Sequence, residues 1–217
     1  YWSVSAVYET DDGMKITADV VKENGKKIKL SDKAAADAVE AELRWESRKE
    51  NRPADKVTKV EKRKRKRMPQ PPFTTSTMQQ ECVGKLNFGA KKTMMLAQQL
   101  YEGLELGGRG HVGLITYMRT DSTRINEDMI KGAREFIANV YGKEFVPPKP
   151  HAYKSRATSQ DAHEAIRPTS LELTPQVVSA FLSRDQLRLY TLIWNRFLAS
   201  QMAPVETEHM SITVESG

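Results

Sequence analysis

Apolar and polar residues alternate along residues 1–30, which is the pattern of half-buried β-strands. Two turn signals, ending in Gly13 and Gly25, divide this stretch into three short strands. The tail over residues 206–215 alternates in the same way. We therefore expect the C-terminal strand to complete the N-terminal sheet.

Between these ends the apolar spacing changes to that of amphipathic helices. Ser76 with Gln79 forms a capping-box pattern, and Asn126 is suited to cap a helix whose first turn is acidic. Helices are predicted from Ser31 to before Pro53, over 78–87, over 90–104, from Asn126 to about Tyr141, over 159–166, after Thr174 and after Ser183. A short apolar strand is predicted over 112–117.

Strands at both ends with helices between them predict an α+β fold in which one domain is discontinuous. We expect residues 1–68 and 198–217 to form a strand-rich domain, and residues 69–197 to form an inserted, mainly helical domain. The proline-rich stretch over 69–72 is the expected hinge. Because the chain begins without methionine and stops directly after a strand-like run, we interpret it as part of a longer protein.

The composition favours an anionic partner. The net charge is +6 and the pI is about 9.3, for which nucleic acid is the first candidate. Cys82 is the single cysteine, so the chain cannot form an internal disulfide, which suits a reducing cytosol. No apolar run reaches the roughly 18–20 residues that span a bilayer, and no membrane association is predicted.

Lysine and arginine are concentrated in residues 56–67. This run has three interpretations: a solvated extended strand or connector, an arm that contacts phosphates, or a nuclear-import signal. The sequence leaves all three open.

The candidate chemistry lies in residues 113–122, where an apolar strand leads into a polar turn. If the strand continues past Tyr117, then Tyr117 and Arg119 point to the same face because side chains alternate along a strand. A phenol in water has a pKa of about 10, and a neighbouring cation helps to form the phenolate. A guanidinium can also hold phosphate oxygens. The plainer interpretation is a tyrosine at a strand end beside a surface arginine.

Four ordered motifs carry a resemblance to a known family. The run GLITYMRTDS resembles the active-site signature of bacterial DNA topoisomerase I, a type IA topoisomerase. Three further stretches agree in order and spacing: PFTTSTMQQ, KKTMM and SQDAHEAIRPT. Met118 distinguishes this group from topoisomerase III, which resembles TyrProArg here, and from reverse gyrases, which more often resemble TyrHisArg.

The resemblance implies that Tyr117 attacks a phosphodiester of single-stranded DNA and retains the 5′ phosphate, while Arg119 contacts the scissile phosphate. The energy of the broken bond would be kept in the covalent link between protein and DNA, so resealing would not need ATP. The implied activity is the relaxation of negatively supercoiled DNA by strand passage. The strand-rich domain would be a hinged arch, and the helical domain would carry Tyr117.

Three further residues are candidate DNA contacts. His163 and Arg167 lie four residues apart in the fourth motif, so a helix would place both on one face near Tyr117. The alternatives are a core or surface role for His163 and a charge interaction at a helix C-terminus for Arg167. Phe73 could stack on a base or be buried at the hinge.

Family members also use Mg²⁺, held by an Asp-x-Asp pair and a glutamate. No such pair occurs here, so we expect no metal site in this chain, Mg²⁺ ligands elsewhere in the parent protein, and no relaxation activity for the chain alone. A monomer associated with the nucleoid in the bacterial cytoplasm is expected. A non-catalytic DNA-binding module is the main alternative. A tyrosine recombinase fits less well because its tyrosine follows its Arg and His residues.

Overall fold

The computed structural model describes residues 2–10, 12–23, 25–46, 55–153 and 163–215. Its strands are β1 (Ser5–Glu9), β2 (Lys15–Asp19), β3 (Lys22–Glu23), β4 (Lys26–Lys27), β5 (Lys56–Arg67), β6 (Leu104–Glu105), β7 (His111–Val112) and β8 (Val205–Glu215). Its helices are α1 (Lys33–Glu46), α2 (Thr75–Glu81), α3 (Ala90–Glu102), α4 (Glu127–Val140), α5 (Pro175–Val178) and α6 (Arg184–Gln201). Helices and strands are thus both well represented, as the sequence predicts.

The chain forms two compact units. One comprises Tyr1–Arg65 with Glu208–Gly217, and the other comprises Lys66–Thr207. The predicted domain boundary at residue 198 falls inside helix α6. The helix continues to Gln201 because its buried face stays packed up to the C-terminus. In the first unit, β1 and β2 form an antiparallel hairpin in which Ser5 lies opposite Asp19.

The C-terminal strand β8 pairs with β5. The expectation that it completes the N-terminal sheet is therefore wrong, because β1 and β2 form a two-stranded sheet of their own. Nearly all side chains of β5 are exposed, and acidic residues of β8 form ion pairs with it: Lys62 with Glu208 at 3.5 Å and Lys66 with Glu206 at 2.9 Å. Residues 56–67 are thus an extended, solvated strand.

The core of the second unit is built by α2, α3, α4 and α6 together with the loops between them. Its largest fully buried side chains are Phe73, Met78, Leu100, Leu114, Ile115, Met118, Ile137, Ile166, Leu189, Tyr190, Ile193 and Phe197. Each such side chain stabilises the fold by about 1.5–3 kcal/mol relative to an exposed one. The buried Tyr190 hydroxyl donates to the carbonyl of Leu173 at 2.6 Å, which satisfies its polar atom.

Side-chain caps define several helix starts. Asn126 caps α4, as predicted. Helices α5 and α6 begin after Thr174 and Ser183, as predicted, and the structure shows that these two side chains are their caps. Helix α2 differs, because its cap is Thr74 rather than Ser76: Thr74 and Thr77 form the capping box, and the helix begins at Thr75. The hydroxyl at position 74 is the one placed to accept the free N–H of Thr77.

Two predicted elements around the candidate site are wrong in type. The apolar segment 112–117 is not a continuous strand, because only His111–Val112 pair with β6 and Ile115 makes a single bridge to Pro168. Residues 163–166 are extended rather than helical, and Ile166 bridges Phe73. The remainder of the predicted helix, 159–162, lies outside the described residues. Backbone bonds to neighbouring segments replace the helical ones.

Within the part of the chain that the structure describes, no helix is both long enough and apolar enough to cross a membrane.

Candidate active site

Exposure alternates along the loop that carries the candidate tyrosine. Tyr117 is 40% exposed and Arg119 is exposed, whereas Met118 and Thr120 are buried. The buried pair anchors the loop in the core and leaves Tyr117 and Arg119 toward solvent. Both candidate residues are thus exposed to solvent, although the loop that carries them is not a strand.

One side of this loop is held by the extended segment that follows residue 163. Thr116 donates its backbone N–H to the carbonyl of Arg167 at 2.9 Å, and its hydroxyl donates to the carbonyl of Ala165 at 2.7 Å. The N–H of Arg167 donates to the Thr116 hydroxyl at 3.0 Å. The residue directly before Tyr117 is therefore fixed by three hydrogen bonds.

The other side is held by the first residue of α2. The N–H of Thr75 donates to the carbonyl of Thr120 at 2.9 Å, and the Thr75 hydroxyl donates to the carbonyl of Met118 at 2.7 Å. Each such bond contributes about 1 kcal/mol net, more where water is excluded. Together the two sides hold the loop as a rigid support for its exposed side chains.

Helix α3 approaches the same loop closely at Gly113. A side-chain Cβ at this position would lie 2.7 Å from the carbonyl oxygen of Tyr101, which is closer than atoms pack. The next residue, Leu114, donates its N–H to the carbonyl of Leu100 at 2.7 Å. Glycine is thus required for the end of α3 to reach the loop.

Tyr117 lies between two other rings. The ring of Tyr101 meets it edge-on with centroids 5.3 Å apart, and the ring of His163 lies 6.0 Å away at an angle of 43°. Among the described residues the Tyr117 hydroxyl has no hydrogen-bond partner. The phenol ring is in contact with both neighbours, and a phenol oxygen that is not engaged by the described part of the chain is suited to nucleophilic attack on an anionic ester.

Comparison with known proteins identifies the family of this chain. The family model described as DNA topoisomerase matches residues 1–217. The chain belongs to the bacterial type IA DNA topoisomerase family. The crystal structure of full-length topoisomerase I from Thermotoga maritima is similar, with 36% sequence identity and a TM-score of 0.74. The match covers 99% of this chain and 31% of that protein.

For this topoisomerase-family chain, the predicted site residues separate into two groups. Tyr117 and Arg119 are exposed on the fixed loop, and His163 is in ring contact with Tyr117. The predicted basis for His163 is wrong, because His163 and Arg167 do not share a helical face. Extended backbone, rather than a helix, brings His163 to Tyr117.

Arg167 and Phe73 are both inside the protein. Arg167 is 7% exposed, forms a 2.5 Å ion pair with Glu164 and donates to the carbonyl of Pro168 at 2.8 Å. Phe73 is fully buried, and the guanidinium of Arg196 lies 4.6 Å from its ring centroid. Base stacking by Phe73 is therefore corrected to a packing role, and the Arg167 side chain is engaged by protein atoms rather than presented to solvent.

The described residues contain no group of three or more His, Cys, Asp or Glu side chains that could hold a metal ion. The acidic residue closest in sequence to His163 is Glu164, whose carboxylate is already engaged by Arg167. The residues of this chain that the structure describes thus do not fit a Mg²⁺ site.

Three side chains at the site were not singled out from the sequence: Thr75, Thr116 and Tyr101. Both threonines lie inside the motifs that resemble the family, and this was the feature of the sequence that could have indicated their importance. The hydrogen bonds of the two threonines to the loop and its neighbours span 43 to 51 positions of the chain, so local spacing could not identify them.

Proposed function

We propose that this chain carries the DNA-cleaving tyrosine of a type IA topoisomerase that relaxes negatively supercoiled DNA, with Tyr117 as the nucleophile. The observation that carries the proposal is the exposed Tyr117, whose hydroxyl has no hydrogen bond to any described residue, on a loop fixed from both sides with Arg119 exposed two residues away. Membership of the family supports the same assignment.

In the proposed reaction the Tyr117 oxygen attacks a phosphorus atom of single-stranded DNA. A bond from the phenol oxygen to phosphorus forms, the bond to the 3′ oxygen breaks, the phenol loses its proton and the 3′ oxygen gains one. The 5′ phosphate stays on the protein, so attack by the 3′ hydroxyl reverses the step without ATP. The intact strand passes through the break before resealing.

Arg119 is proposed to bind the non-bridging oxygens of the scissile phosphate. Its guanidinium is suited to this because it donates from a planar fork and stays charged, and charge increases on those oxygens during attack. His163 is proposed to contact the DNA backbone beside Tyr117, because its ring lies 6.0 Å from the Tyr117 ring.

The remaining proposals concern the whole enzyme. The chain spans 31% of the length of the Thermotoga maritima protein, so we propose that it works as part of a longer, monomeric protein in the bacterial cytoplasm at the nucleoid. In that protein the strand-rich part would serve as a hinged arch and the helical part would lift away with Tyr117. Mg²⁺ would be held by residues outside this chain and would supply charge stabilisation at the phosphate. The chain alone would not relax DNA.

The test compares the full-length protein with its Tyr117→Phe variant on a labelled single-stranded oligonucleotide with Mg²⁺. After denaturation, the wild type should give a protein-linked DNA band that the variant lacks. Tyr141→Phe, the same change at another exposed tyrosine, should keep the band. A band that persists in Tyr117→Phe would show that another residue is the nucleophile, and a wild type without a band would favour a non-catalytic DNA-binding module.

A further inference from the structure

A single hydroxyl group contacts the backbone on both sides of Arg119. The Thr75 Oγ1 atom donates to the carbonyl of Met118 at 2.7 Å and accepts from the N–H of Thr120 at 2.9 Å. The first group belongs to the peptide before Arg119 and the second to the peptide after it. One side chain therefore fixes both peptide planes that meet at the Arg119 Cα.

Thr75 is available for this because it does not cap its own helix. The neighbouring Thr74 caps α2 and is paired with Thr77 in the capping box. Thr75 occupies the first helical position, and its hydroxyl is directed to the loop instead. The backbone N–H of Thr75 adds a hydrogen bond to the carbonyl of Thr120 at 2.9 Å. The start of α2 and the loop thus form one hydrogen-bonded unit.

Arg119 depends on its backbone for direction. Its guanidinium has no hydrogen bond or ion pair with any residue that the structure describes, and its two neighbours, Met118 and Thr120, are buried. A long, flexible side chain reaches a phosphate with useful precision only when the backbone that carries it is held in place. The Thr75 hydroxyl holds the backbone on both sides of Arg119.

We propose that Thr75 is a positioning residue for Arg119, acting through the backbone of residues 118–120 to aim the guanidinium at the phosphate that Tyr117 attacks. This inference rests on the proposed function. Thr75 itself would not touch DNA.

The experiment measures the rate of Tyr117-linked adduct formation in the full-length protein. Thr75→Val keeps the shape of the side chain and removes the hydroxyl, and it should slow the reaction by about 10- to 100-fold, the scale expected for a misplaced catalytic group. Thr75→Ser retains the hydroxyl and should stay within about threefold of wild type. Thr77→Val is the matched control: it loses a capping bond of the same helix turn without contact to the loop.

The decisive comparison introduces Thr75→Val into an Arg119→Ala background. If Thr75 acts through Arg119, the double variant should match Arg119→Ala within about twofold, because residues that act as a unit are not additive. A full further loss in that background would overturn the inference. So would a Thr77→Val loss as large as that of Thr75→Val, or a failure of Thr75→Ser to restore the rate.

The failure of this inference can be distinguished from that of the proposed function. A wild-type protein that forms no adduct overturns both. A normal wild-type adduct that Tyr117→Phe abolishes, together with an unaffected Thr75→Val rate, overturns the role of Thr75 alone.

Discussion

The ring of Tyr101 meets the ring of Tyr117 edge-on, with centroids 5.3 Å apart and planes inclined by 66°. Tyr101 lies in the last turn of α3, and both tyrosines are 40% exposed. Because both residues are partly exposed, this contact adds little to the stability of the core. It is, however, one of the two ring contacts of the candidate nucleophile among the described residues.

Removing this ring should affect the reaction more than the fold. Edge-on aromatic pairs contribute about 0.5–1.5 kcal/mol, so Tyr101→Ala should slow adduct formation by about 2- to 10-fold in the full-length protein, with little change in melting temperature. Tyr101→Phe keeps the ring and should behave as wild type in the same oligonucleotide assay. If Tyr101→Phe is as slow as Tyr101→Ala, the hydroxyl of Tyr101 rather than its ring is the important group.

The close approach at Gly113 predicts a structural cost for any side chain there. Gly113→Ala places a Cβ 2.7 Å from the Tyr101 carbonyl, and should destabilise the chain by about 1–3 kcal/mol in urea unfolding. Gly108→Ala serves as the control, because its Cβ would meet nothing within 4 Å. Equal stability of the two variants would mean that α3 moves away at little cost.

The buried position of Arg167 makes its role testable against that of Arg119. Arg167→Met leaves the Glu164 carboxylate without its partner and should lower the free energy of unfolding by about 2 kcal/mol. It should leave the salt dependence of single-strand binding unchanged, whereas Arg119→Met should reduce the slope of log K against log salt by about 0.7. A reduced slope for Arg167→Met would show that its guanidinium reaches a phosphate.

Tyr153 predicts a loss of stability at alkaline pH. Burial raises the pKa of Tyr153 to about 12, an effect partly opposed by Arg196. Because the folded-state pKa lies above the value of about 10 in an unfolded chain, the stabilisation is complete below pH 10 and is lost as pH rises toward 12.

The expected contribution of Tyr153 is about 1–2 kcal/mol, reduced from the full linkage value because the side chain is only partly buried. Tyr153→Phe should therefore flatten the decline of melting temperature between about pH 10 and pH 12, as measured by circular dichroism. The variant also loses the hydroxyl bond to the carbonyl of Ser200, so it should be slightly less stable at pH 7. An unchanged alkaline decline would contradict the assignment.

Local patterns predicted the elements whose stability is local. Asn126 caps α4 as expected, and α5 and α6 begin after Thr174 and Ser183 as expected, because a helix start depends only on the N–H groups of the next turn. The strand character of residues 206–215 also followed from their side-chain alternation, whereas for residues 56–67 an extended strand was one of three interpretations. The family could be identified from four motifs, because the order and spacing of these motifs can be compared with those of known families without a structure.

The segments around the candidate site were decided by tertiary structure. Residues 163–166 have helical spacing but are extended, because the N–H of Ile166 donates to Phe73 and the N–H of Ala165 donates to Arg124. The same packing buries Phe73 and Arg167, an aromatic ring that could stack on a base and a cation that could bind a phosphate if they were exposed.

By itself, then, the sequence determined the family and the starts of α4, α5 and α6, and it singled out Tyr117 and Arg119 as candidates. Only the tertiary structure decided that Thr75, Thr116 and Tyr101 surround them. The physical reason is that these contacts, made by threonine hydroxyls, an aromatic ring and backbone groups, join residues far apart in the chain, which local spacing does not reveal.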